Sequence, residues 1–258
     1  MRIPEKRRIE IKNLIQQEKS VSVERISELF NISLITVRRD LERLQEQGYI
    51  SKVHGGALIR DSLIPEPVFN VNIKLNQEEK NRIAIEAAKR INNGDSVILE
   101  SGSTCLNLVR YLSEKNNLKI STAGISLANE LLKLIQIKND FEVSVCGGII
   151  RAGSSTYVGP HAVSYFKSIN ADIAFLGAVA VSASKGLSTA TQFDAEIANA
   201  IAESARKIIL LADSSKFERH SYINFLPIER LSEIITDDKI NEEIAKEITK
   251  KGVKLTTV

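Results

Sequence analysis

The 258-residue chain has no tryptophan, five prolines and only two cysteines. Cys105 and Cys146 each sit in an apolar or glycine-rich stretch, with no second Cys or His at metal-ligand spacing. A disulfide framework and a cysteine-rich zinc site are thereby excluded, and nothing in the chain calls for a resident metal or cofactor. No apolar run approaches the ~20 residues of a membrane span, so no membrane partner is expected. The N-terminus, Met1-Arg2-Ile3-Pro4-Glu5-Lys6-Arg7-Arg8, lacks the apolar core of a secretory signal. The expectation is a reduced, cytoplasmic protein. What is present is ordinary for a globular chain: 43% hydrophobic and 26% charged residues. The length suits one large domain, or a small one followed by a medium one. The net charge of +3 hides an asymmetry. Residues 1–60 carry 12 Lys/Arg against 8 Asp/Glu, and the remainder 23 against 24. A basic excess confined to one segment is expected where that segment meets a polyanion, although a solvated face can carry as much.

Three short helical patterns follow one another in that segment. The first runs from Arg7 to about Lys19, with Ile11, Leu14 and Ile15 on one face. The second starts after Ser22, whose hydroxyl suits an N-cap, and aligns Val23, Ile26, Leu29 and Phe30. Asn31 interrupts it and Ser33 offers a second cap. A third helix then runs to about Gln47, where Gly48 ends it, with Leu34, Val37, Leu41 and Leu44 as its apolar stripe. Beside that stripe lies a polar face of Thr36, Arg39 and Arg43, flanked by Ile35 and Arg38. A helix seated in a major groove offers its N-terminal residues to base edges. Ser33 and Thr36 can donate to phosphate at the positive helix end. Ile35 can pack on a thymine methyl, and Arg38 or Arg39 can bond a guanine through two hydrogen bonds. The short turn between two capped helices fixes their angle, which groove reading requires. The alternative is a three-helix packing module with an ordinary charged surface. Residues 49–58 alternate around Gly55-Gly56, as in a short hairpin, or wing. Lys52 and His54 at its tip would lie near phosphates, and His54 serves equally as a plain turn residue. Double-stranded operator DNA is the expected partner.

Residues 60–79 include Pro65 and Pro67 without clear periodicity and read as a linker, which divides the chain into 1–59, 60–79 and 80–258. Beyond it, apolar strands at 96–99, 118–121, 141–145, 173–176, 207–211 and 253–257 alternate with helices at 79–91, 104–112, 126–137, 194–204 and 241–251. This alternation predicts an α/β domain with a mostly parallel sheet covered on both faces. Ligands of such sheets collect at the carboxyl ends of strands. There lies Glu100-Ser101-Gly102-Ser103-Thr104, where glycine, backbone N–H groups and hydroxyls suit a phosphate, or simply a strand-to-helix turn. A second loop holds Thr122 and Gly124, and a third Gly147, Gly148 and Arg151. Three such loops converging would hold a phosphorylated, hydroxyl-rich molecule. Lys185, Asp194, Asp213 and Lys216 also fall near strand ends, as ligand contacts or as surface charges.

The run Ser33-x-x-Thr36-Val37-Arg38-Arg39-Asp40-Leu41-x-x-Leu44, followed by Val53-His54-Gly55-Gly56-Ala57, resembles the signature of DeoR-type bacterial regulators of sugar metabolism. The likeness continues through Glu100–Thr104, Gly147-Gly148, Ala174-Phe175-Leu176-Gly177-Ala178 and Leu211-Ala212-Asp213-Ser214-Ser215-Lys216-Phe217. It implies a winged helix-turn-helix joined to a domain related in fold to pentose-phosphate isomerases, with Ser101–Thr104 holding a phosphate and Lys216 reaching the ligand. It further implies a non-enzymatic repressor that a phosphorylated sugar relieves, acting as a homo-oligomer, dimer or tetramer, because a repeated operator needs more than one module. The chain departs from the family pattern at several positions. Lys52 replaces a common arginine, Glu100 an aspartate, Ala123 an asparagine, Asn72 an arginine and Ala198 a lysine, while Val179-Ala180-Val181-Ser182 replaces a stretch with glycine and aspartate. An active isomerase would need a carboxylate base and enediolate donors, for which Glu100 and Asp194 are the remaining candidates. A DNA binder whose second domain only oligomerises is the third reading.

Overall fold

The computed structural model describes residues 4–18, 20–46, 49–53, 56–59 and 69–258. The chain divides into two compact units, Met1–Pro65 and Glu66–Val258.

In the first unit, α1 (Pro4–Glu18), β1 (Ser20–Ser22), α2 (Val23–Phe30) and α3 (Leu34–Glu46) precede the hairpin β2 (Ile50–Val53) and β3 (Gly56–Ile59). The capping residues act as their chemistry predicts. Ser22 Oγ accepts the Arg25 N–H at 3.1 Å, and Asn31 closes α2 in the left-handed region at φ 51°. The Ser33 hydroxyl accepts the Thr36 N–H at 3.3 Å. Ile11, Ile15, Val23, Ile26, Val37, Leu41 and Leu44 form the core with Ile50 and Ala57 of the hairpin. Two residues of the expected stripes are not in it. Leu29 is 54% exposed and Leu34 41% exposed, because Leu29 lies 60° round the helix from Ile26 and Leu34 begins α3 beyond the core. The strand β1, too short to show alternation, pairs antiparallel with β3 and places β3 between β1 and β2.

The second unit opens with α4 (Phe69–Lys74) and α5 (Gln77–Ala88), so part of the expected linker is helical. There follow β4 (Ser96–Leu99), α6 (Ser103–Val109), β5 (Lys119–Thr122), α7 (Ile125–Ile135), β6 (Glu142–Val145), the hairpin β7 (Ile149–Arg151) and β8 (Thr156–Val158), and α8 (Pro160–Lys167). The chain continues through β9 (Ala171–Leu176), β10 (Ala180–Ser182), β11 (Gly186–Thr189), α9 (Gln192–Glu203), β12 (Ala205–Leu211) and β13 (Ile223–Leu226). It ends with β14 (Glu233–Thr236), α10 (Glu242–Lys250) and β15 (Lys254–Thr257). Seven strands form a parallel sheet in the order β15-β14-β12-β9-β4-β5-β6. Successive strands add outward from β4 through β5 to β6, then restart at β9 on its other side. The order therefore reverses between β4 and β9, and the crevice at their carboxyl ends is where such sheets bind ligands.

Alternation along the strands feeds two cores. Val97 and Leu99 face α5, α6 and α7 through Ile83, Cys105, Leu108 and Leu127. Ile98 faces the other side, where Ala162, Phe166, Ile197, Ile201, Ile244 and Ile248 bring in α8, α9 and α10. The six strands and five helices read from the sequence all occur, displaced by up to three residues at their ends. The interior strand β14 and the helix α8 lie outside that reading. Both are short and without clear periodicity, so their pattern does not separate strand from buried helix. The family-atypical residues 180–182 form β10, paired with β11, and place Val181 in the core.

Candidate functional site

Helix α3 presents its expected face to solvent. Ile35 is 71% exposed, and Ser33, Arg38, Arg39 and Arg43 are exposed beside a half-buried Thr36. Neither Arg38, Arg39 nor Arg43 makes an ion pair or side-chain hydrogen bond among the described residues. Three uncommitted guanidinium groups on one helix are free to meet phosphates or base edges. The Ser33 and Thr36 hydroxyls share a hydrogen bond of 2.9 Å at the helix start. Asp40, the acidic residue in this basic run, faces the other way. It is buried, accepts the Arg7 Nε–H at 2.6 Å and lies 3.6 Å from Arg8 Nη1, which joins α3 to α1. Lys52 lies on β2 opposite Ala57, and His54 falls outside the described residues.

The second unit carries a pocket at the crevice between β4 and β9. Glu100–Thr104 follow β4 and Gly177–Val179 follow β9, and both segments line it. Phe69 and Asn72 of α4, Ser154, Asp194, Ala198 and Lys216 complete the polar and apolar walls. The Glu100 carboxylate lies between the two loops: Oε1 accepts the Ser101 hydroxyl at 2.6 Å, and Oε2 accepts the N–H groups of Gly102 at 3.0 Å and Gly177 at 3.2 Å. Burial pushes this carboxyl above its ordinary range, against those three hydrogen bonds. Asp194 is committed differently, with Arg151 Nε 3.0 Å from Oδ2 and the Thr191 hydroxyl donating to the same oxygen.

Lys216 is the cation of the lining. Burial lowers its ammonium below the ordinary value, opposed by the Asp213 charge. Its side chain makes no hydrogen bond or ion pair within 4 Å among the described residues. Thr104, 6% exposed, makes no side-chain hydrogen bond either, and Ser154 Oγ is buried without a partner. Behind Lys216, burial would raise the Asp213 carboxyl, but Lys216, the Ser215 hydroxyl, Lys80 and Asn76 together hold it below its usual range. Lys80, 2% exposed, donates to the Asn72 carbonyl and is pushed down to about 8 by burial. Asn76 Nδ2 donates to Asp213 Oδ1 at 2.8 Å, which ties the α4–α5 corner to the turn carrying Lys216.

Comparison with known proteins agrees with both halves. Residues 7–63 match the DeoR-like helix-turn-helix domain, and residues 75–238 match the DeoR C-terminal sensor domain. The chain belongs to the DeoR family. It is 32% identical to the transcriptional regulator GolR of Listeria innocua over 97% of each chain. It is 30% identical to the glycerol-3-phosphate regulon repressor of Escherichia coli K12 over 87% of each. These DeoR-family relatives are regulators rather than enzymes, and this chain is a DNA-binding transcriptional regulator like them. Among solved structures, ribose 5-phosphate isomerase A of Methanocaldococcus jannaschii is similar at TM-score 0.40 and 17% identity, covering 55% of each chain.

Within this DeoR-family domain, the expected ligand residues are only partly brought together. Glu100, Ser101, Gly102, Ser103, Thr104, Asp194 and Lys216 share the pocket, and Arg151 reaches its edge through Asp194. Thr122, Gly124, Gly147 and Gly148 of the other two loops do not line it. Thr122 is wholly buried, donates to the Leu99 carbonyl at 2.7 Å and accepts the Gly124 N–H at 3.0 Å, so this pair joins strand ends. Gly147 and Gly148 adopt positive φ before the β7–β8 hairpin. A Cβ on Gly148 would lie 2.6 Å from the Val158 carbonyl oxygen, so close approach explains that glycine. Lys185 is exposed on the β10–β11 turn, away from the lining. Phe69 and Lys80 lay hidden in the sequence because a six-residue helix and one buried lysine leave no periodic signal. Ala198 and Asn72, both departures from the family pattern, do line the pocket.

Proposed function

We propose that the protein is a repressor of a sugar-metabolism operon, relieved when a phosphorylated sugar occupies the pocket of its second unit. The observation that carries this reading is the pairing of uncommitted groups: the Lys216 ammonium and the Thr104 hydroxyl line one pocket without a hydrogen bond among the described residues. Both are donors open to the pocket, and a phosphate oxygen would accept from each of them. The Ser103 hydroxyl supplies another donor, and the Glu100 and Asp194 carboxylates supply acceptors for sugar hydroxyls. Arg151 and Thr191 hold Asp194 in place. Helix α3 is the operator-reading element, through Ser33, Ile35, Thr36, Arg38, Arg39 and Arg43, with Lys52 and His54 of the wing toward the backbone. The repressor acts in the cytoplasm as a homo-oligomer, dimer or tetramer, matching a repeated operator.

A ligand relieves repression only by its different affinity for two forms of the protein, a coupling of roughly 1–3 kcal/mol in typical cases. Ligand binding to the folded state raises thermal stability by mass action. A melting-temperature screen of the full chain against sugar monophosphates, and against the same sugars unphosphorylated, tests the proposal. Stabilisation only by phosphorylated members, lost in Lys216→Ala, supports it. No stabilisation by any phosphorylated compound would refute it.

A further inference from the structure

The two N–H groups best placed to greet an anion at the strand crossover are already taken. Gly102 follows β4 and Gly177 follows β9, and both donate to Glu100 Oε2. The fit is close: a Cβ built on Gly102 would lie 3.3 Å from that oxygen, and one on Gly177 3.2 Å. The carboxylate is therefore a fixed part of the pocket wall, and the phosphate cradle implied by the Ser101–Thr104 motif is half filled by the chain's own anion. Ser101 is committed as well, since its hydroxyl donates to Oε1. Glu100 has no cationic partner among the described residues, whereas Asp194, the other carboxylate of the lining, is matched by Arg151. A carboxylate offers about four acceptor positions. Three are occupied here, which leaves one on Oε1.

We infer that Glu100 is a specificity-determining residue, which selects a ligand with one phosphate and a hydroxyl-bearing far end and rejects a ligand with a second anionic group. This rests on reading the pocket as a sugar-phosphate site. The single phosphate goes to Lys216, Thr104 and Ser103, and a hydroxyl donates to the open position of Glu100 Oε1. A second anion at that end meets an unneutralised carboxylate, finds the Gly102 and Gly177 N–H groups occupied, and meets Asp194 as a further like charge.

The test compares pairs of probes on the full-length protein by calorimetric titration: fructose 6-phosphate against fructose 1,6-bisphosphate, and glucose 6-phosphate against glucose 1,6-bisphosphate. The wild type is expected to favour the monophosphate of at least one pair by roughly tenfold or more, from like-charge repulsion in a partly buried site. Glu100→Gln keeps the side chain's size and an acceptor but removes the charge. It should narrow that ratio to about threefold or less, chiefly by admitting the bisphosphate. Glu100→Asp keeps the charge, should still reject the bisphosphate, and serves if the Gln variant does not fold. Equal binding of both members by the wild type, or an unchanged ratio in Glu100→Gln, would overturn the selectivity while leaving the phosphate site standing. If neither member of any pair binds, both the selectivity and the site are overturned.

Discussion

The buried ion pair between α1 and α3 allows a quantitative test of how the DNA-reading helix is held. Asp40 and Arg7 have side chains only 3% and 10% exposed, and Arg7 Nε lies 2.6 Å from Asp40 Oδ2. Replacing Asp40 by Ala leaves the Arg7 guanidinium buried without its counter-charge. Breaking such a pair from one side costs roughly 3–5 kcal/mol. Replacing both partners by apolar residues removes the uncompensated charge, so Arg7→Met with Asp40→Leu should recover most of the loss. Hydrogen exchange of peptides covering α3, followed by mass spectrometry, reads the opening free energy of this unit alone. Since about 1.4 kcal/mol is a factor of ten, Asp40→Ala should accelerate exchange there by roughly a hundredfold or more. Peptides from the parallel sheet, which belongs to the other compact unit, should be unaffected. Unchanged protection of α3 in Asp40→Ala, or a double variant as damaged as the single one, would refute the reasoning.

Two further outcomes follow from the same physics. Arg39→Ala removes an exposed side chain with no partner among the described residues, so melting should be unaltered while specific operator affinity falls by about 1–3 kcal/mol; an unaltered footprint would contradict the groove assignment. Lys80 is lowered from 10.5 to about 8 in the folded chain, so between those values the unfolded chain holds the extra proton and stability due to this residue rises with pH. Against Lys80→Met, the wild type should gain about 3 kcal/mol in urea unfolding as pH climbs through that window, and a gap constant with pH would argue against a buried, cationic Lys80.

The reading of the DNA-binding unit from sequence succeeded where chemistry is local. Ser22, Asn31 and Ser33 cap or close helices through their own side chains or backbone, and such contacts span four residues or fewer. Leu29 and Leu34 were misplaced because periodicity says which residues share a face, and not where the core ends. In the larger unit the strand-helix alternation carried the parallel sheet, and Glu100–Thr104 fell where such sheets bind. The pocket's other walls come from distant segments. Phe69, Gly177 and Lys216 meet only through the strand order, which no local pattern encodes. Thr122 and Gly124 looked like a ligand loop because a strand-end turn and a phosphate cradle use the same residue types. The occupied Gly102 N–H was hidden for a related reason: a motif records which donors exist, and only the fold shows who already holds them.

The claim that the pocket governs DNA binding is tested most directly by operator affinity measured with and without a bound sugar monophosphate, at fixed salt. The account predicts a fall of roughly 5- to 150-fold in the wild type on saturation, and no change in Lys216→Ala, whose affinity without ligand should match the wild type. Saturating ligand that leaves operator affinity untouched would contradict it.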